Sequence, residues 1–379
     1  MKVSKTIKIA VAALAVTAFA AQSAFAGGVS IQAGGSSFDA TLLNTCKVAW
    51  QNTTGNTFTY NSSDSGTGQK NEDAGIFDAN FSDSGYTPAK SSVLNIPLVM
   101  APIAVIYNLP GSKPLYLSEQ TLSDIFAGKV TKWNDAEIVA DNNKSIPSVI
   151  YAKNADGSTK KDSKGAPVVL RTVTTKRYYT LPDQTIHLVV RSDASGTTKN
   201  FVTLFTKTNS DVWTKPADKT FANVFPGAIN GAGNIGRIQA YSGSTGVAAG
   251  LASTPYSIGY AEVSYATGKL RTAFLGNANG DFAGPTAANT SAFVAGATLN
   301  SAGLYQFNYK TTAPGAYILG IVSYALVDSA KSGAQAAAMT DFLKFVASPA
   351  CANTSPNYAA ESGPVADYVA SLLAKLPTK

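Results

Sequence analysis

Three stretches of the chain carry small, hydroxyl-bearing and glycine-rich residues: "AGGSSF" at 33–38, "SSDSGTG" at 62–68 and "RSDASGTT" at 191–198. Each stands between a strand-like run and a run with helical spacing. Each therefore presents free backbone N–H groups at a helix start, where the helix dipole also favours negative charge. Small residues let the backbone approach an anion closely. Ser and Thr hydroxyls add hydrogen bonds that turn to suit the guest. Arg191 supplies a fixed charge, and its planar fork can grip two oxygens of a tetrahedral oxyanion. Asp193, two residues on, is placed to orient that guanidinium; the alternative is a surface Arg–Asp pair of little energetic consequence.

Asp83, in "FSDSG", points to which oxyanion. A carboxylate in an anion socket repels its guest unless the guest brings a proton. Hydrogen phosphates carry O–H donors, and sulfate carries none. A buried Asp83 would accept from phosphate and meet sulfate as an unpaired, like-charged acceptor, a mismatch costing several kcal/mol. The alternative role is an Asx-turn at a strand end.

These turns need elements to hold them. Val29, Ile31 and Ala33 alternate as in a strand, and "TLLNTCKVAW" has helical spacing. "NTFTYN" is a second strand, a polar helix follows near 69–76, and "DANFSDSG" is a third short strand. Residues 96–108 form one long buried strand or two in succession. "LSEQTLSDIFAGKVTKWND" predicts a helix stopped by Gly128 and Lys129. "TIHLVV" is a buried strand, and "RSDASGTT" opens the helix "KNFVTLF". "AYILGIVSYALV" is a late core strand. Helices carrying Met339, Phe342, Leu343 and Val346, then Tyr368, Val369 and Leu372, complete the pattern. Strand–turn–helix repetition of this kind makes the chain an α/β protein.

Composition bounds the rest. The chain has 379 residues, 45% hydrophobic and 14% charged, which is globular. Lys2, Lys5 and Lys8, an apolar run over 9–21 and Ala24-Phe25-Ala26 predict a cleavable export signal at 1–26. That run is too short to span a bilayer, so the mature protein is expected in the periplasm, with secretion the alternative. About 350 residues then remain, enough for two domains. Three of the seven net positive charges belong to the signal. Residues 151–177 hold Lys153, Lys160, Lys161, Lys164, Arg171, Lys176 and Arg177 against Asp156 and Asp162. That local excess lies in a polar stretch over 139–180 that predicts a solvated hairpin insertion around an Asp-Gly turn at 156–157. It lacks the broad basic face with aromatics that nucleic acid needs. Export allows a disulfide between Cys46 and Cys351; two separately buried thiols fit the sequence equally well.

Motif-like strings elsewhere carry little. "GAGNIG" at 231–236 follows no strand and lacks the acidic residue of a dinucleotide site. His187 is the only histidine and sits inside a strand, so neither a hydrolase nor a metal centre is expected. No cofactor is implied.

The chain resembles the periplasmic phosphate-binding proteins of Pst-type ABC transporters. The stretches that carry the resemblance are "AGGSSF", "YNSSDSGTG", "FSDSG", "YNLPG", "LSEQTLSDIFAGKVTKWNDAEI", "LPDQ", "RSDASGTT", "GVAAGLASTPYSIGYAE" and the late strand–helix pair. They occur in family order over nearly the whole mature chain. The resemblance implies a two-lobed type II (Venus-flytrap) fold, each lobe a mixed sheet flanked by helices. Lobe I would hold 27–103 and 283–379, and lobe II 104–282. It implies phosphate ligands at Ser37, Phe38, Ser65, Asp83, Arg191, Ser195, Gly196 and Thr197. It also implies a monomer that hands phosphate to membrane permease subunits without chemical turnover. A receptor for sulfate or molybdate, or an exported surface protein without a transport role, are the alternatives. Two departures concern the turns themselves. Asp39 replaces the usual proline after Phe38, and Ser84-Gly85 replaces Ala-Pro after Asp83. Asp39 and Asp64 either add negative charge near the pocket or cap helices, and capping is the expectation.

Overall fold

A computed structural model describes residues 28–378, apart from 112, 164–166, 177 and 360–363. The export signal expected at 1–26 lies outside the described residues, as do Lys164 and Arg177 of the basic stretch.

Eight strands form one path of hydrogen bonding. They are β1 (Ser30–Ser36), β2 (Thr57–Ser63), β3 (Ala79–Ser82), β4 (Val93–Asn108), β5 (His187–Arg191), β6 (Ile238–Tyr241), β7 (Ser257–Glu262) and β8 (Gly320–Asp328). Their order is β2-β1-β3-β8-β4-β7-β5-β6, and the short pair Arg271–Thr272 adds to β4. In one half, β1 runs parallel to β2 and β3, and β8 lies antiparallel to β3. In the other half, β5 runs parallel to β6 and β7.

β4 joins the halves. Its stretch from Val93 to Pro102 pairs antiparallel with β8, and its stretch from Ile103 to Asn108 pairs antiparallel with β7. The long apolar run is therefore one strand that changes partner midway. It is buried from Ile96 to its end because both halves are covered by helices.

Local signals explain the helices that matter. They are α1 (Ala40–Thr54), α2 (Ser65–Ala74), α3 (Glu119–Phe126), α4 (Gly196–Thr208), α5 (Gly243–Ser253) and α6 (Ala334–Val346). Ser118 caps α3 by accepting from the Thr121 amide, and Gly128 at φ 78° ends the turn beyond it. Asp64 caps α2 by accepting from the Thr67 amide at 2.9 Å, and Ser195 caps α4 through the Thr198 amide at 3.1 Å. α2 starts four residues before the expected 69–76 region. It has no apolar stripe to reveal its start, only that cap.

The halves have separate aromatic anchors. Phe342 of α6 packs on Phe58 and Trp50, with ring centroids 4.0 and 5.1 Å apart. In the other half Phe201 of α4 stacks on Tyr260 of β7 at 4.2 Å and meets Phe126 of α3 edge-on at 4.7 Å. Each fully buried Phe contributes about 1.5–3 kcal/mol. Cys46 of α1 and Cys351 are joined in a disulfide, Cα atoms 5.1 Å apart and 305 residues apart in sequence.

The polar stretch over 139–180 divides. Its first residues finish a helix, Ala136–Asn142. Ser145–Tyr151 and Val169–Lys176 then pair antiparallel as a sheet of two strands, detached from the main one. Within the ribbon they enclose, Asp156 Oδ1 accepts from the Ser158 amide at 2.9 Å and Gly157 takes φ 81°. That is the expected Asp-Gly turn.

Candidate anion-binding site

The three turns meet where the two halves of the sheet face each other. Ser36 ends β1, Asp64 and Ser65 link β2 to α2, Asp83 follows β3, and Arg191 ends β5 before α4. Contacts across the gap are direct. The Gly66 amide donates to the Ala194 carbonyl at 3.0 Å. Asn200 Nδ2 donates to the Asp83 carbonyl at 2.7 Å, and Lys219 Nζ to Gln69 Oε1 at 2.6 Å. A Cβ added at Gly196 would lie 2.5 Å from Ser65 Oγ and 3.0 Å from Asp83 Cβ, so only glycine allows this approach.

Asp83 is the centre of the contacts. It is buried, and the Ser36 hydroxyl donates to its Oδ1. Thr197 Oγ1 donates to its Oδ2 at 2.5 Å, and its own amide donates to Ser65 Oγ at 3.1 Å. Burial pushes its carboxyl up from the usual range. The Ser36 and Thr197 hydroxyls and the Arg191 charge pull the other way.

Arg191 is equally enclosed. Its Nε and Nη2 donate to the two carboxylate oxygens of Asp193 at 2.6 and 2.5 Å. Burial opposes the guanidinium charge, but the Asp193 fork outweighs it and raises the Arg191 pKa. The Arg–Asp pair is therefore bidentate, its guanidinium buried and its carboxylate half-buried, rather than a surface pair. Asp193 Oδ2 also accepts from the Gly243 amide at 3.2 Å, which ties the guanidinium to the start of α5.

The remaining expected residues differ in their engagement. Ser37 Oγ accepts from the Ser244 amide at 3.0 Å, so it is drawn to α5. The Phe38 amide donates to Ser36 Oγ at 3.1 Å. The Ser195 amide already donates to the Asp193 and Lys219 carbonyls. Gly196 and Thr197 are the first residues of α4, so helix geometry leaves their amides without an intrahelical acceptor. Beside Asp83 a cavity of about 220 Å³ opens, lined among others by Lys199, Asn200, Thr203 and Lys207 of α4.

Several contributors were not foreseen from the sequence. Ser36, outside the expected set, carries a hydroxyl that meets Asp83. Ser244, Asn200 and Tyr265, whose hydroxyl donates to the Ser37 carbonyl at 3.1 Å, come from distant segments. Ser323 of β8, whose Oγ lies 3.4 Å from Asp83 Oδ1, looks in sequence like any small residue of a core strand. Of the two acidic residues expected to cap helices, Asp64 does so. Asp39 does not: no amide of α1 bonds its side chain.

The PBP superfamily domain matches residues 20–350 of this chain. A phosphate-binding protein PstS of Xylella fastidiosa is 28% identical over 327 residues, 84% of this chain and 77% of that protein. The phosphate-binding protein PstS of Methanocaldococcus jannaschii is 33% identical over 268 residues, 67% of this chain and 59% of that protein. The phosphate-binding protein PstS 3 of Mycobacterium tuberculosis is 30% identical over 246 residues, 63% of this chain. The chain spans about half the length of that mycobacterial relative, 54%. Among solved structures, a phosphate-binding protein from Stenotrophomonas maltophilia superposes with TM-score 0.63 at 16% identity, covering 91% of this chain and 94% of that one. An ancestral soluble variant of the human phosphate binding protein gives TM-score 0.65 at 19% identity, covering 91% and 93%. These likenesses show the two-lobed type II fold. With the family match over most of its length, the chain belongs to the PBP superfamily.

Proposed function

We propose that the protein binds inorganic phosphate between its lobes, outside the cytoplasm, and delivers it to the permease subunits of an ABC transporter without transforming it. The observation that carries this is the buried Asp83 carboxylate, bracketed by hydroxyls and facing a lobe that supplies a buried guanidinium and a helix start. A carboxylate there favours a tetrahedral anion that still carries a proton. The names of the relatives agree with this reading.

The ligand set is Ser37, Phe38, Ser65, Asp83, Arg191, Ser195, Gly196 and Thr197, with Asp193 orienting Arg191. Amides now engaged within the chain, such as those of Phe38 and Ser195, would exchange partners as the anion enters. Lobe I is assigned 27–103 and 283–379, and lobe II 104–282. The change of partner along β4 between Pro102 and Ile103 supports the first boundary. The receptor acts as a monomer in the periplasm after loss of 1–26. Among the described residues no helix is long and apolar enough to cross a membrane. Lys199 and Lys207 beside the cavity would draw anions inward.

Equilibrium dialysis of the mature protein against labelled inorganic phosphate tests the reading. It predicts one saturable site per chain. Retention no greater than that of a denatured control rejects it.

A further inference from the structure

Asp39 is fully enclosed, one residue beyond Phe38. Its carboxyl group turns away from α1 and toward β8. There Ser323 Oγ donates to Asp39 Oδ2 at 2.8 Å and lies 3.4 Å from Asp83 Oδ1. A hydroxyl carries one hydrogen, so two buried carboxyl groups compete for it. Asp39 Oδ1 has no partner among the described residues. Asp83 and, from the end of β7, Glu262 act on Asp39 with like charge. Tyr60 of β2 and Tyr358 also lie within its field, and Tyr265 faces those two phenols. The nearby cation Arg191 is held by Asp193. Two like charges in a dry site do not ionise together at neutral pH without a compensating cation. Burial, reinforced by Asp83, holds the Asp39 carboxyl well above the usual carboxylate range.

We propose that Asp39 is a positioning residue that gates phosphate binding by pH: it stands behind Asp83 as a neutral acid while the anion is held, and its ionisation drives the anion out. The proposal rests on the phosphate reading of the site. When Asp39 ionises, its proton passes to solvent and a second negative charge appears beside Asp83, with Ser323 able to donate to only one of the two. The ligand class is a tetrahedral anion that carries its own proton, and a rise in pH weakens its hold. Asparagine at this position mimics the neutral acid in shape and cannot gain the charge.

Calorimetry with inorganic phosphate tests this on the mature protein and on Asp39→Asn, from mildly acidic to mildly alkaline buffer. Ionisation of phosphate itself and of the other site groups is common to both proteins, so the ratio of their dissociation constants isolates Asp39. The wild-type constant is expected to rise on alkalinisation roughly tenfold more than that of the variant, the ratio given by about 1.4 kcal/mol of charge repulsion. Parallel curves with phosphate bound in both overturn the gate and leave the phosphate reading standing. Absence of binding in both at every pH overturns both. A carboxyl-carbon NMR titration of Asp39 in the wild type needs neither ligand nor variant. A protonated Asp39 at neutral pH is expected, and an ionised one overturns the proposal.

Discussion

Thr197 Oγ1 donates to Asp83 Oδ2 at 2.5 Å, joining residues 114 positions apart across the gap between the two halves of the sheet. The donor opens a helix in one lobe and the acceptor ends a strand turn in the other. The carboxylate proposed to select the guest therefore also bridges the two halves.

Replacing that carboxylate separates the two roles. Asp83→Asn keeps the shape and offers N–H donors where the wild type offers acceptors only. Discrimination between phosphate and sulfate should drop by at least about tenfold, or 1.4 kcal/mol. Competition of each anion against labelled phosphate reads this ratio. An unchanged ratio would mean that Asp83 is not the acceptor for a ligand proton.

Arg191→Ala should weaken phosphate binding by more than about 1.5 kcal/mol, the low end for a charge-assisted hydrogen bond. It also leaves the half-buried Asp193 without its partner, so Asp193→Asn serves as the comparison. That variant keeps the guanidinium and loosens its orientation, and a smaller loss of affinity is expected. Equal losses in both would assign Arg191 no contact of its own with the ligand.

Gly196→Ala tests the close approach of the lobes. The added methyl would sit 2.5 Å from Ser65 Oγ and 3.0 Å from Asp83 Cβ. The lobes should then stay apart with phosphate present, giving a larger radius of gyration than wild type by small-angle scattering. A radius matching the wild type in the presence of phosphate would show that the turn yields without cost.

Stability should depend on Glu262 in a definite direction. Burial raises its carboxyl from 4.5 to about 7 in the folded chain. The folded state then binds more protons than the unfolded state between those values, so this group costs stability as pH rises through that window. The whole shift corresponds to about 3 kcal/mol. Melting temperature should fall across that range, and Glu262→Gln should flatten the fall, leaving the slope from the other carboxyl groups that burial raises, Asp39, Glu72 and Asp83 among them. Identical profiles would show that Glu262 is ionised without penalty.

Much of this was legible because it is local. The three hydroxyl-rich turns announce themselves by composition, and the apolar run through 96–108 reads as buried strand, with only its number, one or two, left open. The placement of Arg191 two residues before Asp193 and shortly before a helix start is likewise written in sequence. What escaped depends on juxtaposition. Ser323 and Asp39 are 284 residues apart, and nothing in "GIVSYALV" separates Ser323 from an ordinary small core residue. Asp39 carries the signature of a cap, yet its carboxyl group turns inward because β8 offers a hydroxyl there. Ser36 and Ser37 are adjacent and chemically identical. Ser36 is the last residue of β1 and Ser37 the first of the turn beyond it, and only that boundary decides which one meets Asp83.

The central claim is that a proton-bearing tetrahedral anion is held between the lobes opposite a carboxylate. Isothermal titration of the mature protein with inorganic phosphate and with sulfate at matched ionic strength tests it most directly. One saturable phosphate site is expected, with sulfate weaker by at least about a hundredfold, the several kcal/mol of an unpaired, like-charged contact. No heat with phosphate, or equal affinity for the two anions, would contradict it.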